Sequence, residues 1–430
     1  MNSLDAPSNT RKLPQAGRSA DSRPQAGNGR SAPALGKDTK SAAAPAAVRR
    51  FRQRRYELMR VSGEVLGHSY RVAKCSKHLG KGEGGQIRDH VHVKRDIHGH
   101  AHWSGVSVCG SVWTCPVCST KIQRSRRDEV KKALRTHRLN GGYALLANFT
   151  FSHSRFDKLS DLIPAFAKAQ SLLKGSRAYK NIKADLGLIG TIKATELTHG
   201  DNGWHPHTHE IWFLSEKPTK AQIAQAETKL YEAWVKRCEA VGLGSPSRKH
   251  GVKLVYNEIE GSDAVGAYLA KWGDELTGSI SKKATGGRSP WQILESLSQG
   301  WTPKDSALWK EYAEHTKGRA MLYWSPGLKD WFEIDEKTDQ ELADAEPPEV
   351  ADQVQVTRAE FYAVCRARLQ AQVLDVMEQF GPDACLEFVQ QIHKADSDKR
   401  WQIEQEKRRL AADIAAQTRR RMREMGLAWR

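Results

Sequence analysis

Apolar residues along this chain follow two periods, and each period predicts a type of secondary structure. Continuous apolar runs at residues 143–151 and 187–198 predict two buried strands. The segment 203–214, in which histidines alternate before an apolar run, predicts a third strand. Apolar positions spaced as on one face of a helix predict helices at 159–173 and 221–241. Because a cluster of turn-forming residues separates the second strand from the third, we expect these two strands to pair as an antiparallel hairpin.

Both ends of the chain differ in composition from its middle. Residues 1–48 are rich in Ala, Pro, Gly, Ser and Arg, with almost no large apolar side chains, and we expect a disordered basic tail. The acidic, Pro-containing stretch 335–352 predicts a linker, and the helical region after it ends in the Arg-dense segment 399–430. Between these ends, a short strand is predicted at 252–255 and a helix at 263–272.

The composition restricts the class of protein. The chain has 430 residues with 68 Lys and Arg against 50 Asp and Glu, and its net charge of +18 indicates a polyanionic partner, either nucleic acid or a membrane surface. The sequence contains no run of about 18 apolar residues, so we expect no membrane-spanning helix. The N-terminus also lacks the apolar region of a signal peptide. Seven cysteines, an odd number, argue against a secreted disulfide scaffold. We therefore expect a soluble intracellular protein.

Three alternating histidines form the most informative pattern. His205, His207 and His209 share one face of their strand, and adjacent imidazoles on a rigid face form half of a metal site. The hairpin can bring Glu196 beside His207 and His209, which leaves coordination positions open for a substrate. This donor set suits Mn²⁺, and Mg²⁺ by its abundance, but an Fe(II) oxygenase uses the same set. The competing interpretations are a strand with surface histidines and an exposed strand carboxylate.

A second pattern consists of cysteines. Cys115 and Cys118 are spaced as two ligands on one zinc knuckle, and Cys109 is near enough in sequence to be a third. Cys75 is the best candidate for the fourth ligand, and a histidine between residues 78 and 102 is its rival. A redox Cys-x-x-Cys pair is the alternative, although the surrounding sequence is unlike thioredoxin. Three further cysteines are isolated and predict ordinary, partly buried thiols: Cys238, Cys365 and Cys385.

A third pattern lies in the predicted helix 263–272. Tyr268 and Lys271 are three residues apart and point the same way on a helix. The ammonium group favours the phenolate, so Tyr268 is a candidate nucleophile. A lone tyrosine on a helix is more often a packing residue, and the pattern alone does not decide between the two.

Taken in their order along the chain, these patterns resemble the replication initiators of rolling-circle plasmids, in the HUH endonuclease superfamily. The motifs that carry the resemblance are Cys115–Cys118, Leu146–Phe151, Trp204–Phe213, Tyr268–Lys271 and Leu322–Leu328. It extends from about residue 70 to 330 and includes neither tail. It implies an α+β fold with a central antiparallel sheet and flanking helices, HUH endonuclease-like, plus an N-terminal zinc-binding region and a helical C-terminal extension. The implied regions are a basic tail (1–48), a zinc-binding region (49–135), a nickase domain (136–334), a linker (335–352) and a charged helical extension (353–430).

The resemblance also implies an activity. Mn²⁺ or Mg²⁺, held by His207, His209 and Glu196 with His205 close by, polarises a phosphate of single-stranded origin DNA. Tyr268 attacks that phosphate, with Lys271 beside it, and leaves a 5′-phosphotyrosyl link and a free 3′-OH. The hydroxyl primes synthesis by a host polymerase, and a later transesterification releases a circle. The implied partners are a plasmid double-strand origin and host helicase and polymerase in the bacterial cytoplasm, with no membrane, and Zn²⁺ is the implied structural metal.

Two positions depart from the family's pattern. Some members have a glutamate four residues before the tyrosine, where this chain has Ala264, and Asp263 would point about 100° away from that direction. Glu210 replaces the usual apolar residue after the last histidine and is expected on the opposite face of the strand. Within the superfamily, the alternatives are a mobilisation relaxase and a single-strand transposase. Outside it, the alternative is a zinc-stabilised DNA-binding regulator without catalysis.

Overall fold

The chain forms an α+β structure whose centre is a five-stranded antiparallel sheet. The structure, a computed structural model, describes residues 43–256, 287–346 and 350–424. Its strands are β1 (His90–Asp96), β2 (Ala101–Ser104), β3 (Tyr143–Phe149), β4 (Leu188–Gly200), β5 (Gly203–Leu214), β6 (Val252–Val255), β7 (Leu322–Trp324) and β8 (Val350–Thr357). The central sheet has the order β6-β3-β5-β4-β7. The longest pairing is the β4–β5 hairpin, in which Glu196 lies directly opposite His207.

Helices cover the two faces of this sheet. The described helices are α1 (Ala43–Leu66), α2 (Pro116–Leu139), α3 (Leu159–Gly175), α4 (Arg177–Asp185), α5 (Lys220–Ala240), α6 (Pro290–Gln299), α7 (Pro303–Thr316), α8 (Leu328–Trp331), α9 (Asp339–Asp344), α10 (Arg358–Ala367) and α11 (Gln370–Glu424). Several begin with a Ser or Thr side chain that accepts from the third helical N–H, as Thr219 does for α5. The backbone of α11 is interrupted at Gly381, whose φ of +86° is not helical.

Period-two alternation gives the central sheet two different faces. On one face, Trp212 and Leu214 of β5 pack into a core with residues of α3, α4 and α5. On the other, Ile211 and Phe213 pack with residues of α2 and with Leu328 of α8. The histidines of β5 alternate in step with Ile211 and Phe213. They therefore lie on the α2 side of the sheet, where the apolar core ends.

The strands and helices predicted around this sheet are confirmed. The runs at 143–151 and 187–198 form β3 and β4, and the antiparallel hairpin is present. The spacings at 159–173 and 221–241 correspond to α3 and α5, and the short strand at 252–255 is β6. The predicted helix at 263–272 lies outside the described residues. Among the helices that the structure describes, none has the length and apolar character needed to cross a membrane.

A second sheet joins two distant parts of the chain. It has the order β2-β1-β8, and its strands are antiparallel. Its apolar face, with Val93 of β1 and Val356 of β8, packs against Phe361 of α10 and Met377 of α11. The C-terminal segment therefore shares a hydrophobic core with residues of the predicted zinc-binding region.

Two stretches predicted as unstructured contain regular structure. Within the predicted linker 335–352, α9 buries Leu342 and Ala343 in the main core, and β8 begins at Val350. Burial of these apolar side chains outweighs the acidic composition that predicted a linker. Within the predicted tail 1–48, α1 begins at Ala43, in an alanine-rich stretch that favours helix. Residues 1–42 lie outside the described residues.

A buried ion pair connects α1 with α11. Arg52 Nη1 lies 2.6 Å from Asp375 Oδ1, and Arg52 also bonds Glu378. The side chains of Arg52 and Asp375 are 8% and 6% exposed. Replacing Arg52 by Ala leaves the buried carboxylate of Asp375 and the partly buried one of Glu378 without their cation. We expect this change to lower the free energy of unfolding by about 3–5 kcal/mol, measured by urea denaturation.

Arg60→Ala is the matched control for this prediction. Arg60 lies on the same helix, and its Nε is 3.8 Å from Glu64 Oε1 at the surface. An exposed pair of this kind contributes less than about 1 kcal/mol. Equal losses of stability in the two variants would contradict a special role for the buried pair.

Candidate functional site

A carboxylate and two imidazoles converge at the end of the β4–β5 hairpin. The Oε2 atom of Glu196 lies 3.3 Å from Nε2 of His207 and 3.3 Å from Nε2 of His209. One ligand atom from each of the three residues lies within 4.8 Å of the others. The arrangement follows from the register, since Glu196 is opposite His207 and Ala194 is opposite His209. The three polar ligand atoms therefore surround one point on the α2 side of the sheet.

Both imidazoles are held with Nε2 directed at that point. His209 Nδ1 donates to Asn148 Oδ1 at 2.7 Å, and His207 Nδ1 donates to the carbonyl oxygen of His205 at 3.2 Å. A histidine that donates through Nδ1 keeps the Nε2 lone pair free for a metal ion. When no cation is bound, a proton on Nε2 of either ring faces the Glu196 carboxylate. Although burial alone would raise the pKa of Glu196, these hydrogen bonds and the charge of the rings hold it well below its usual range. An ionised carboxylate and two oriented imidazoles fit a divalent cation.

His205 lies outside this group of three. Its ring stacks on that of His207, with centroids 5.0 Å apart, and packs at a tilt of 35° against that of His153, with centroids 4.7 Å apart. Its Nδ1 is buried and has no hydrogen-bond partner in the part of the chain that the structure describes. Burial and the neighbouring His207 and His153 lower the pKa of His205 to about 3, so this ring is neutral at neutral pH. The structure thus brings Glu196, His207 and His209 together and leaves His205 beside them.

Glu210 lies on the opposite face of β5, as expected from its position. It is fully buried, Lys174 Nζ on α3 lies 3.0 Å from its Oε1, and Trp212 Nε1 donates to its Oε2 at 3.0 Å. The ion pair satisfies a carboxylate that would otherwise be buried without a partner. Glu210 therefore fixes the strand from behind and does not face the imidazoles.

The four predicted zinc cysteines also come together. The Sγ atom of Cys75 lies 3.5 Å from that of Cys118 and 3.6 Å from that of Cys115, and Cys109 Sγ lies 3.7 Å from Cys118 Sγ. All four side chains are buried, and their sulfur atoms lie within 4.8 Å of one another. Cys75 therefore occupies the fourth position, for which histidines were rivals. Such a closed group of four thiols is compatible with a structural zinc ion.

The local structure places these thiols where negative charge is favoured. Cys115 is the residue before α2, and its Sγ accepts from the backbone N–H of Cys118 at 3.5 Å. The first turn of a helix stabilises anionic groups. Burial raises the pKa of the Cys115 thiol, whereas hydrogen bonds from the neighbouring thiols hold that of Cys118 well below its usual range. Binding of a cation would release the remaining protons.

The predicted nucleophile is not within the described part of the chain. Tyr268 and Lys271 both lie outside the described residues. On the N-terminal side of that segment, β6 pairs with β3. On its C-terminal side, Arg288 exchanges backbone hydrogen bonds of 2.7 and 2.8 Å with His199 of β4. One flank is thus a strand of the sheet that carries Glu196, and the other is hydrogen-bonded to that sheet.

Comparison with known proteins gives two relatives. "Protein rep" of Streptomyces lividans is 29% identical over 346 aligned residues, which cover 64% of this chain and 76% of that protein. The chain is therefore similar to a Rep protein. "Neomycin resistance protein" of Streptomyces cyanogenus is 35% identical over 132 residues, which cover 25% of this chain and 30% of that protein. No family model and no solved structure matches this Rep-like chain.

Proposed function

We propose that this Rep-like chain initiates rolling-circle replication of a plasmid as a metal-dependent DNA nickase and strand transferase with an HUH endonuclease-like core. The observation that carries the proposal is the convergence of Glu196, His207 and His209, with both rings oriented through Nδ1. The net charge of +18 suits a polyanionic substrate. Similarity to Protein rep supports a role in replication.

The proposed reaction is a transesterification at one phosphate of a single DNA strand. A bound Mn²⁺ or Mg²⁺ would neutralise charge on that phosphate. Glu196, His207 and His209 would hold the cation in place. The Tyr268 hydroxyl loses its proton and attacks the phosphorus, so that a bond to the tyrosine oxygen forms and the bond to O3′ breaks. The 5′-phosphate remains on the protein, and the free 3′-OH primes synthesis by a host polymerase.

Two features support Tyr268 as the nucleophile. One is the neighbouring Lys271, and the other is the pairing of the residues on either side of segment 257–286. An ammonium group three residues away on a helix would favour the phenolate. The residues on either side of the segment pair with the sheet that carries the cation ligands. In the same proposal, Cys75, Cys109, Cys115 and Cys118 hold a structural zinc ion that joins α2 to the N-terminal residues. We propose the same five regions as inferred from the sequence. The exceptions are the start of α1 within the tail, and α9 and the start of β8 within the linker.

The test is a nicking assay on supercoiled plasmid DNA that carries the chain's own origin. We expect nicked circles and a denaturation-resistant protein–DNA adduct with Mn²⁺ or Mg²⁺, and neither after chelation. Digestion of the adduct and mass spectrometry should place the 5′-phosphate on the peptide that contains Tyr268. Specific DNA binding without nicking would instead support a non-catalytic regulator. Activity confined to a transfer origin or to transposon ends would support a relaxase or a transposase.

Asn148 provides a prediction about the orientation of His209. Asn148→Ala removes the acceptor for His209 Nδ1, and the ring can then rotate away from the cation. We expect Mn²⁺ affinity to fall by roughly 10- to 100-fold with little change in fold, measured by isothermal titration calorimetry. Asn181→Ala, at an exposed position on α4, is the matched control. Wild-type affinity in Asn148→Ala would show that the ring needs no orienting partner.

A further inference from the structure

We infer that the loop 152–158 is a stacking platform for a nucleobase of the single strand next to the cation site. This inference rests on the proposed function, since it names how that site's DNA strand is held. The residue that carries it is Phe156, whose side chain is 79% exposed at the surface of this loop. The partner it fits is single-stranded DNA, because only unpaired bases present a free aromatic face.

The topology places this loop at the cation end of the central sheet. The loop follows the C-terminal end of β3, which lies beside the start of β5 because the two strands are antiparallel. His153 Nδ1 donates to the carbonyl oxygen of Asn202 at 2.8 Å, in the turn before β5. Gly203 has φ of +82°, and a Cβ atom there would lie 3.1 Å from Arg155 Cα. The loop is thus pressed against the start of the strand that carries the histidines.

A continuous row of rings connects the loop with the cation site. The ring of His153 packs at a tilt against His205, which in turn stacks on His207. Phe156 is three residues beyond His153, within about 11 Å along an extended backbone. A strand whose phosphate lies at His207 therefore reaches Phe156 within a few nucleotides.

The loop is ordered by its own hydrogen bonds and presents Phe156 outward. Asp157 Oδ2 accepts from the backbone N–H of Ser154 at 2.7 Å, and Ser154 Oγ accepts from the backbone N–H of Phe156 at 3.3 Å. The guanidinium carbon of Arg155 lies 5.0 Å from the centroid of the Phe156 ring. An arginine next to an exposed aromatic ring combines phosphate attraction with base stacking.

Beside the loop lies a cleft of about 590 Å³, whose apolar lining includes Phe156, Leu162, Ala165 and Leu243. Its polar lining includes the carboxylates of Asp157 and Asp161 and the ammonium group of Lys158. The apolar part gives a flat base a surface next to the exposed ring. Stacking on such a surface accepts any base, because each base has an apolar π-face.

The charge of the neighbouring loop fits a phosphate backbone. Residues 245–251 contain Arg248, Lys249 and His250, all exposed, and no acidic residue. This loop is fixed to the end of β3, since the carbonyl oxygen of His250 accepts from Thr150 Oγ1 at 2.9 Å. Arg248 and Lys249 of this neighbouring loop, together with the exposed Arg155 and Lys158 of the platform loop itself, supply the electrostatic part of single-strand binding.

The test uses the full chain with Phe156→Ala and fluorescence anisotropy on oligothymidylate of about 16 nucleotides. We expect the Kd to rise roughly tenfold, within the range measured when one stacking side chain is removed. An oligomer of abasic sugars, which keeps the phosphates, should bind the variant and the wild type alike. Phe380→Ala, at a position 68% exposed on α11, is the matched control and should bind both probes as the wild type does.

The outcomes separate this inference from the proposed function. Unchanged oligothymidylate binding by Phe156→Ala would overturn the platform even if the wild type nicks its origin. An equal loss on the abasic strand would also overturn it, as would an equal loss on duplex DNA, because neither involves an unpaired base. If the wild type fails to nick but Phe156→Ala loses affinity for oligothymidylate alone, the proposed function fails and the platform stands.

Discussion

Replacing His207 and His209 together by Ala is expected to abolish both cation binding and nicking. The double variant leaves Glu196 as the single remaining member of the three-residue group that the described structure brings together. One carboxylate does not hold a divalent cation tightly enough to position it. Since the cation would supply several kcal/mol of charge stabilisation, we expect the nicking rate to fall by at least about 10³-fold. Calorimetry with Mn²⁺ and the supercoiled-plasmid assay measure the two effects.

Tyr268→Phe separates cation binding from the chemistry. This variant keeps Glu196 and both imidazoles and should bind Mn²⁺ as the wild type does, but it should form no covalent adduct. Adduct formation by Tyr268→Phe would identify another nucleophile. Substantial nicking by the double histidine variant would show that these imidazoles do not hold the catalytic cation.

Removal of zinc is expected to have the largest effect on stability. The group of Cys75, Cys109, Cys115 and Cys118 is buried within the main core, where it joins the start of α2 to the chain near residue 75. Structural zinc contributes about 10–16 kcal/mol of binding free energy at four-ligand sites in small domains, which is comparable with the stability of a whole domain. We expect one zinc ion per chain by elemental analysis. Cys118→Ser should lose that ion, together with at least about 3 kcal/mol of unfolding free energy.

Cys365→Ser is the control for the zinc prediction. Cys365 is half-buried and lies outside the group of four thiols. It should retain the zinc ion and most of the wild-type stability. Stoichiometric zinc in Cys118→Ser, or purified wild-type protein whose four thiols react freely, would refute a zinc site.

The sequence predicted the part of the site that is formed by strands adjacent along the chain. The position of Glu196 opposite His207 follows from a hairpin with a short turn, so strand period and turn length together determine it. Cys75 could not be distinguished from the histidines of residues 78–102, because a ligand 34 residues from Cys109 is placed by the tertiary fold. The sequence left this ligand open, and packing of the α1–α2 region decides it in favour of Cys75.

Contacts between distant strands were missed for a related reason. Asn148 lies in a predicted strand, but its contact with His209 depends on the β3–β5 register across 61 residues. His90–Asp96 alternates polar and apolar residues as a strand does, but no strand was predicted there, because its histidines were interpreted as possible zinc ligands. Its partner β8 is more than 250 residues away and extends from the end of the predicted linker into the predicted helical extension. Local pattern predicts the elements, whereas long-range pairing is determined by burial of their apolar faces.

The pairing of β1 with β8 sets an order of events during synthesis on the ribosome. His90 pairs with Thr357, so the apolar side chains of β1 and β2 emerge long before β8 and α11 can cover them. At elongation rates of up to about 20 residues per second, the interval is on the order of ten seconds or more. During that time the β1–β2 hairpin exposes an apolar face, with Val91, Val93 and Trp103, and the edge of β1 has no partner strand. An exposed apolar face next to an unpaired edge is prone to aggregation. Chains shortened before β8 should therefore accumulate in inclusion bodies, even though the cation ligands all precede the truncation.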